Sequence, residues 1–294
     1  MSVQHTETRY SDVPAWELSD TCWARIKPLL PTAKSRYRGR GRNRKHIGGR
    51  PSADQRRVMA GIFYVLRTGC QWNAAPAERF ASGKTLHRYF QRWVRGGLFR
   101  RMWKAGLIEY QQVQGLSLKW QAVDGALTKA PLGGTATGPN PTDRGKRGTK
   151  RSLLVEERGV PLGLEVAAAQ RHDIKLLAPT LSSQLTDEIA ESSESSSAKS
   201  GQEPHLCLDK AYTGADEVAE MAGYIAHIPA KENAKEKKKR KGGRRKARRW
   251  VVEATHSWIN RFRRLLIRWE KKLCNYKALL HFAFAIICWR KCEV

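Results

Sequence analysis

Residues 116–127 read LSLKWQAVDGAL, and one acid in that run carries much of the argument about the fold. The segment has the composition and period of a strand, so by alternation Asp124 shares a face with Leu118, Trp120 and Ala122. A carboxylate on such a row is costly unless it is paired or holds a metal ion. Working outward, residues 151–156 and 161–168 read as two further strands, joined by the turn Glu157-Arg158-Gly159-Val160. Residues 172–185 take a helical period, and the Ser-rich stretch at 191–202 (ESSESSSAKSGQ) reads as a disordered loop. Residues 204–209 form a short strand of buried type, 214–222 a helix, 224–229 a fifth strand, and a long helix starts near 248.

Three meander strands followed by right-handed crossovers predict an α/β mixed sheet flanked by helices, which is the element order of the ribonuclease-H-like fold. Upstream, residues 15–110 read as helical. Ser52 can cap a helix with Val58, Met59, Ile62, Phe63 and Leu66 inward. Thr85 can cap a second, burying Leu86, Tyr89, Phe90, Trp93 and Val94 and exposing His87, Arg88, Gln91, Arg92 and Arg95. After the turn Ser82-Gly83-Lys84, this helix suits a helix-turn-helix reader of DNA or, equally, an amphipathic helix with a wet basic face. Two domains are expected. Residues 1–110 form a helical DNA-binding domain with a basic linker at 34–50, and residues 111–294 a catalytic domain with the Ser-rich loop and a basic insertion at 231–249.

Charge points the same way. Lys+Arg number 55 against 27 Asp+Glu, a formal net charge of +28, and such a chain repels itself unless a polyanion such as nucleic acid neutralises it. The runs at 34–50 and 231–249 are too charged and glycine-rich to pack and read as arms that track phosphates. With 40% hydrophobic residues and 10 Trp the chain has the material for a core, which sets it apart from small packaging proteins. The N-terminal MSVQHTETRYSD is polar, and the apolar run at 278–289 is too short to span a bilayer. Six scattered cysteines complete no zinc site, although Cys288 and Cys292 sit four apart on an expected helix. A cytoplasmic, nucleoid-associated protein with the cysteines as core filler is the expectation.

Each remaining acid has two readings. Asp124-Gly125 is a turn or a site, Asp209 caps the next helix or binds metal, and Glu253 pairs with Arg249 one turn earlier or joins the others. Their joint placement favours the site: strands one and four are neighbours in this fold, and the last helix crosses their ends. Phosphodiester chemistry needs such convergence, since two divalent ions activate the attacking oxygen and stabilise the leaving one. No P-loop, dinucleotide fingerprint or nucleophilic triad competes. Asp173, after His172, is an extra acid near the metals or a cap for the helix that follows, and capping is the simpler reading.

The sequence resembles bacterial insertion-sequence DDE transposases of the IS-five-like group over nearly its whole length. The resemblance is carried by GRPSADQRRVMAGIFYVLRTGCQW (49–72), TLHRYFQRWVRGGLF (85–99), VDGALTKAPLGG (123–134), GPNPTDRGKRGTKRSLL (138–154), LCLDKAY (206–212) and RRWVVEATHSWINRFRRLLIRWEKK (248–272). It implies catalytic, metal-holding roles for Asp124, Asp209 and Glu253 with two Mg²⁺ or Mn²⁺ ions. It also implies binding to terminal inverted repeats and a dimer or larger assembly. The chain departs from the family pattern at Ala211, Lys246 and Ala254. Expected DNA contacts are Arg88, Arg92, Arg95, Arg144, Lys146, Arg147, Lys150, Arg249, Asn260, Arg261 and Arg264. A decayed copy that only occupies the ends, or a nuclease that cuts without joining, are the competing functions.

Overall fold

A computed structural model describes residues 9, 12–32, 37–38, 45–46, 52–190, 203–229 and 250–293. The Ser-rich loop, the basic insertion with Arg249, and most of the basic linker lie outside the described residues. Inside that linker, β1 (Tyr37–Arg38) pairs antiparallel with β2 (Lys45–His46), an element the charge of the run concealed. The chain divides into two compact units, Met1–Met102 and Trp103–Val294, the division falling inside a helix rather than at residue 110.

The first unit is helical. Helix α1 (Asp20–Ile26) is capped by Ser19, whose Oγ accepts from the Cys22 amide at 3.2 Å. Helix α2 (Gln55–Thr68) buries Val58, Met59, Ile62, Phe63 and Leu66, as their spacing predicts. Its cap is Asp54 rather than Ser52, because Asp54 Oδ1 reaches the amides of Arg56 (2.7 Å) and Arg57 (3.1 Å). Helix α3 (Gly83–Arg95) likewise is capped by Ser82, three residues before the expected Thr85, with the Ser82 hydroxyl accepting from the Thr85 amide. It buries Leu86, Tyr89, Phe90 and Trp93 and exposes His87, Arg88, Arg92 and Arg95. Helix α4 (Leu98–Gln114) follows.

The second unit is built on one mixed sheet. Strand β3 (Trp120–Lys129) pairs antiparallel with β5 (Arg147–Glu156), which pairs antiparallel with β6 (Pro161–Ala168) and with the short β4 (Gly138–Pro139). After α5 (Ile174–Ser182) and α6 (Thr186–Ala190), strand β7 (His205–Cys207) joins the other edge of β3 in parallel. Then α7 (Asp216–Met221) leads to β8 (Ile225–His227), parallel to β7. The spatial order β6-β5-β3-β7-β8, antiparallel on one side of β3 and parallel on the other, is the ribonuclease-H-like arrangement predicted from the element order.

The last helical segment is broken. Helix α8 (Trp250–Asn260) packs on β3 and β5, ends in a 3-10 turn at Arg263–Leu265, and is followed by α9 (Leu273–Cys292). The apolar spacing of Ile259, Phe262, Leu266 and Trp269 would continue the helix, yet the helix stops: Leu266 and Trp269 are exposed, while Arg264, Arg268 and Glu270 are buried in their place. Helix α9 is apolar nearly all round and is covered by α4: Trp103 stacks on His281 at 5.1 Å. Gly106 permits that approach, since a Cβ there would lie 3.0 Å from Cys288 Cβ. Cys22, Cys207 and Cys288 are buried as core filler, but Cys274 is exposed. Among the described residues no helix is long and apolar enough to cross a membrane.

Candidate active site

Strand β3 carries Asp124 opposite Leu153 of β5, and alternation splits its residues between two helical layers. Asp124 turns to the α8 face, where buried His256 lies against the Asp124 backbone and beside Arg151. Gly125 turns to the α5 face and meets Asp173. On the other edge of β3, Ala122 is aligned with Cys207 in parallel register. Continuing that register two residues brings Asp209, still extended (φ −92°, ψ 177°), alongside Asp124. Asp209 also accepts a hydrogen bond from the Ala211 amide and so caps the 3-10 turn Lys210–Tyr212, so its capping and site readings are compatible.

Tyr212 sits behind this pair with its ring buried. Burial, and then the charges of Asp173 and Asp124 with a smaller share from Asp209, push its hydroxyl well above the ordinary tyrosine range. Glu253 is exposed in the first turn of α8, one turn before His256. Carboxylates such as those of Asp124 and Asp209 are the hard-oxygen donors a divalent cation prefers. Among the described residues, however, no three His, Cys, Asp or Glu side chains are grouped to hold an ion. The β3–β7 register thus brings the segments that lead to Asp124 and Asp209 side by side, while Glu253 lies on α8, the helix packed on β3. A cleft of about 250 Å³ between Trp120, Glu156, Arg158 and Trp250 contains none of the three acids.

The expected DNA contacts divide. Arg88, Arg92 and Arg95 are exposed on α3, and Arg144, Lys146 and Arg147 on the segment entering β5. Arg261 is exposed, and so is Asn260, whose Oδ1 accepts from Arg151 Nη2 at 3.1 Å. Two do not fit. Lys150 is buried and paired with Asp173 at 2.8 Å, and Arg264 is buried and paired with Glu270 at 2.8 Å. Lys150 is committed because β5 begins at Arg147 and draws the end of the basic segment into the sheet, and Arg264 because the 3-10 turn after α8 turns it inward onto Glu270. Asp173 itself makes no side-chain cap for α5, contrary to the simpler sequence reading.

Residues 120–288, more than half of the chain, match the family model described as a transposase DDE domain. The chain belongs to the DDE transposase family. Residues 18–103 match a second model, for transposases of the IS4/5 family. A Burkholderia cepacia protein described as a transposase for insertion sequence element IS402 is 30% identical over 154 residues, 52% of this chain and 68% of that protein. A 16.2 kDa IS402 protein of the same organism is 30% identical over 125 residues, 42% of this chain and 80% of its own length. Among solved structures, a pre-cleavage Mos1 transpososome aligns over 85% of this chain and 82% of its own at 9% identity, with a TM-score of 0.28. The Mos1 strand transfer complex aligns over 85% and 76% at 10% identity, with a TM-score of 0.30.

In this DDE transposase the sequence reading missed three neighbours of the acids. His256 is pushed down to about 3, first by burial and then by the Arg151 charge, and is neutral at pH 7. Arg151 is buried although it ends a basic run. Tyr212 stands in the LCLDKAY motif, but only the fold sets it against Asp173.

A fourth buried group gives a pH prediction. Glu156 Oε1 accepts from the amides of Arg158 (2.9 Å) and Val160 (3.1 Å), yet burial raises its carboxyl to about 7 from 4.5. The folded state therefore holds a proton that the unfolded chain releases. Its contribution is full below pH 4.5 and lost as pH rises through 7. Glu156→Gln is expected to be more stable than wild type at pH 8 by about 1–3 kcal/mol and to lose that advantage near pH 4. Urea unfolding at the two pH values measures it. An equal difference at both would refute the assignment.

Proposed function

We propose that this transposase binds the terminal inverted repeats of its own element as a homodimer or larger assembly. It cuts the DNA there and joins the freed 3′-hydroxyl to target DNA. Asp124 and Asp209 hold Mg²⁺ or Mn²⁺, two ions per site, with Glu253 as the third acid. The observation that supports this most is the parallel register of β3 and β7, which pairs Ala122 with Cys207, each two residues before an aspartate of the proposed site. When bound, the ions supply activation of the attacking oxygen and neutralisation of the phosphate charge.

The chain's own residues do the rest. The ladder to Leu153 fixes Asp124, and the hydrogen bond from Ala211 fixes Asp209. Neutral, buried His256 fills the space behind the Asp124 backbone without adding charge there. Arg88, Arg92 and Arg95 on the first unit, and Arg144, Lys146 and Arg147 on the second, are exposed and supply phosphate-backbone contacts.

Incubation of the full chain with Mg²⁺ and the DNA flanking its gene tests this reading. Joined products are expected; cut ends that never join would make the protein a nuclease. Binding should also weaken about a thousandfold between 50 and 200 mM salt if roughly six phosphates are contacted. A flat salt response in a filter-binding titration would remove the role given to the basic segments.

A further inference from the structure

A part-buried ion pair backs the strand that carries Asp124, on the face away from that acid. Gly125 is the point of contact. A Cβ added to Gly125 would lie 2.3 Å from Asp173 Oδ1 and 3.4 Å from Lys150 Cδ, so the Asp173 carboxylate occupies the space of the missing side chain. Lys150 is only 8% exposed. Its ammonium donates to Asp173 Oδ2 and to the Arg171 carbonyl, both at 2.8 Å. Lys150 stands opposite Leu127 in the β3–β5 ladder, so the pair is anchored in the same sheet that it presses on.

Two features separate this pair from an ordinary helix-start contact. Asp173 occupies the N-cap position of α5 yet gives α5 no side-chain hydrogen bond. Its Oδ1 is buried and accepts no hydrogen bond among the described residues, an arrangement that costs free energy unless it serves something else. The neighbours show what is served. The carboxylate presses on Gly125, the residue next to Asp124 in β3.

We propose that the Lys150–Asp173 pair is a positioning device for Asp124. Wedged against Gly125, it fixes the strand at Asp124 relative to Asp209 and thereby sets how tightly the two acids hold a divalent ion. Asp173 is a positioning residue: it sits on the opposite face of the strand and acts through the backbone of Gly125. Lys150 holds the carboxylate in place, which also accounts for a basic residue buried at the end of an otherwise exposed basic segment. The inference rests on the proposed metal-holding role of Asp124 and Asp209.

The test is Mn²⁺ affinity measured by calorimetry on the full chain, together with its melting temperature and its DNA affinity in the absence of metal. Asp173→Asn keeps the size and an acceptor for Lys150 but removes the charge. It is expected to weaken Mn²⁺ binding about tenfold, with the melting temperature and metal-free DNA affinity near wild type. The Mg²⁺ concentration needed for half-maximal cleavage should rise by the same factor. Asp124→Asn is the control. If it binds Mn²⁺ like wild type, the site reading fails. If it loses Mn²⁺ while Asp173→Asn does not, the positioning role is overturned. A lowered melting temperature with unchanged Mn²⁺ affinity overturns it too. Should Asp173→Asn fail to fold, Gly125→Ala, which pushes on the same carboxylate, is expected to weaken Mn²⁺ binding, and unchanged affinity there would equally refute the role.

Discussion

Asp124→Asn is expected to lower DNA cleavage about a thousandfold or more, equivalent to ~4 kcal/mol of transition-state stabilisation. DNA binding without metal should stay within about twofold of wild type, because Asp124 is not among the phosphate contacts proposed for the basic segments. The substitution suits the question, since asparagine matches aspartate in shape and leaves the pairing with Leu153 intact. It removes the charge that a hard cation requires of its oxygen ligands. Asp209→Asn should behave alike, because Cys207, two residues before it, is in parallel register with Ala122, two residues before Asp124. Glu253→Gln is the more searching case: Glu253 is exposed on α8 and stands outside the aspartate pair. A loss of similar size there would assign it the third position. Single-turnover cleavage of end-labelled repeat DNA, beside a gel shift in chelator, reads all three. Cutting within tenfold of wild type by Asp124→Asn would sink the assignment.

The part of this site that was legible in the sequence is the part written in local periodicity. Residues 161–168 appear as a strand with the predicted bounds, because the turn at Glu157–Val160 marks the hairpin and the run that follows is apolar. The five-strand order followed from the same signals, and with it the adjacency of the strands bearing Asp124 and Asp209. What escaped was written in partners far along the chain. Arg147–Lys150 look like exposed loop by composition, yet their backbone pairs with 127–129 and Lys150 finds Asp173 across the sheet. The helix caps fell two to three residues from their expected places because several polar residues precede each helix, and only backbone geometry selects Asp54 and Ser82. The stripe beyond Asn260 kept a helical period, but the buried charges Arg264, Arg268 and Glu270 override it.

The second of those charges underlies the largest stability effect expected. Arg268 is fully buried, and its guanidinium ties three segments together. Nη2 donates to the Thr135 carbonyl at 2.6 Å, Nη1 to Thr149 Oγ1 at 3.1 Å and the Ala136 carbonyl at 3.2 Å, and Nε to the Glu270 carbonyl at 2.9 Å. The group also lies 5.1 Å from the centre of the Tyr276 ring. These partners belong to the loop after β3, to β5 and to the start of α9, so one side chain joins the catalytic strand to the helix that closes the core. Methionine fills most of the volume but leaves at least four acceptors to find other donors, at about 1–3 kcal/mol for each one left buried. Partial relaxation reduces the sum. Arg268→Met is therefore expected to cost about 3–5 kcal/mol, or roughly 10 °C in melting temperature for a domain of this size. Lysine should recover only part of that, since it reaches one or two of the acceptors and cannot match the planar fork. Arg261→Met, exposed on the same segment, should change stability by less than about 0.5 kcal/mol. Thermal melts of the three variants decide the matter, and an Arg268→Met protein within about 1 kcal/mol of wild type would mean that the loop, strand and helix are held together by apolar packing alone.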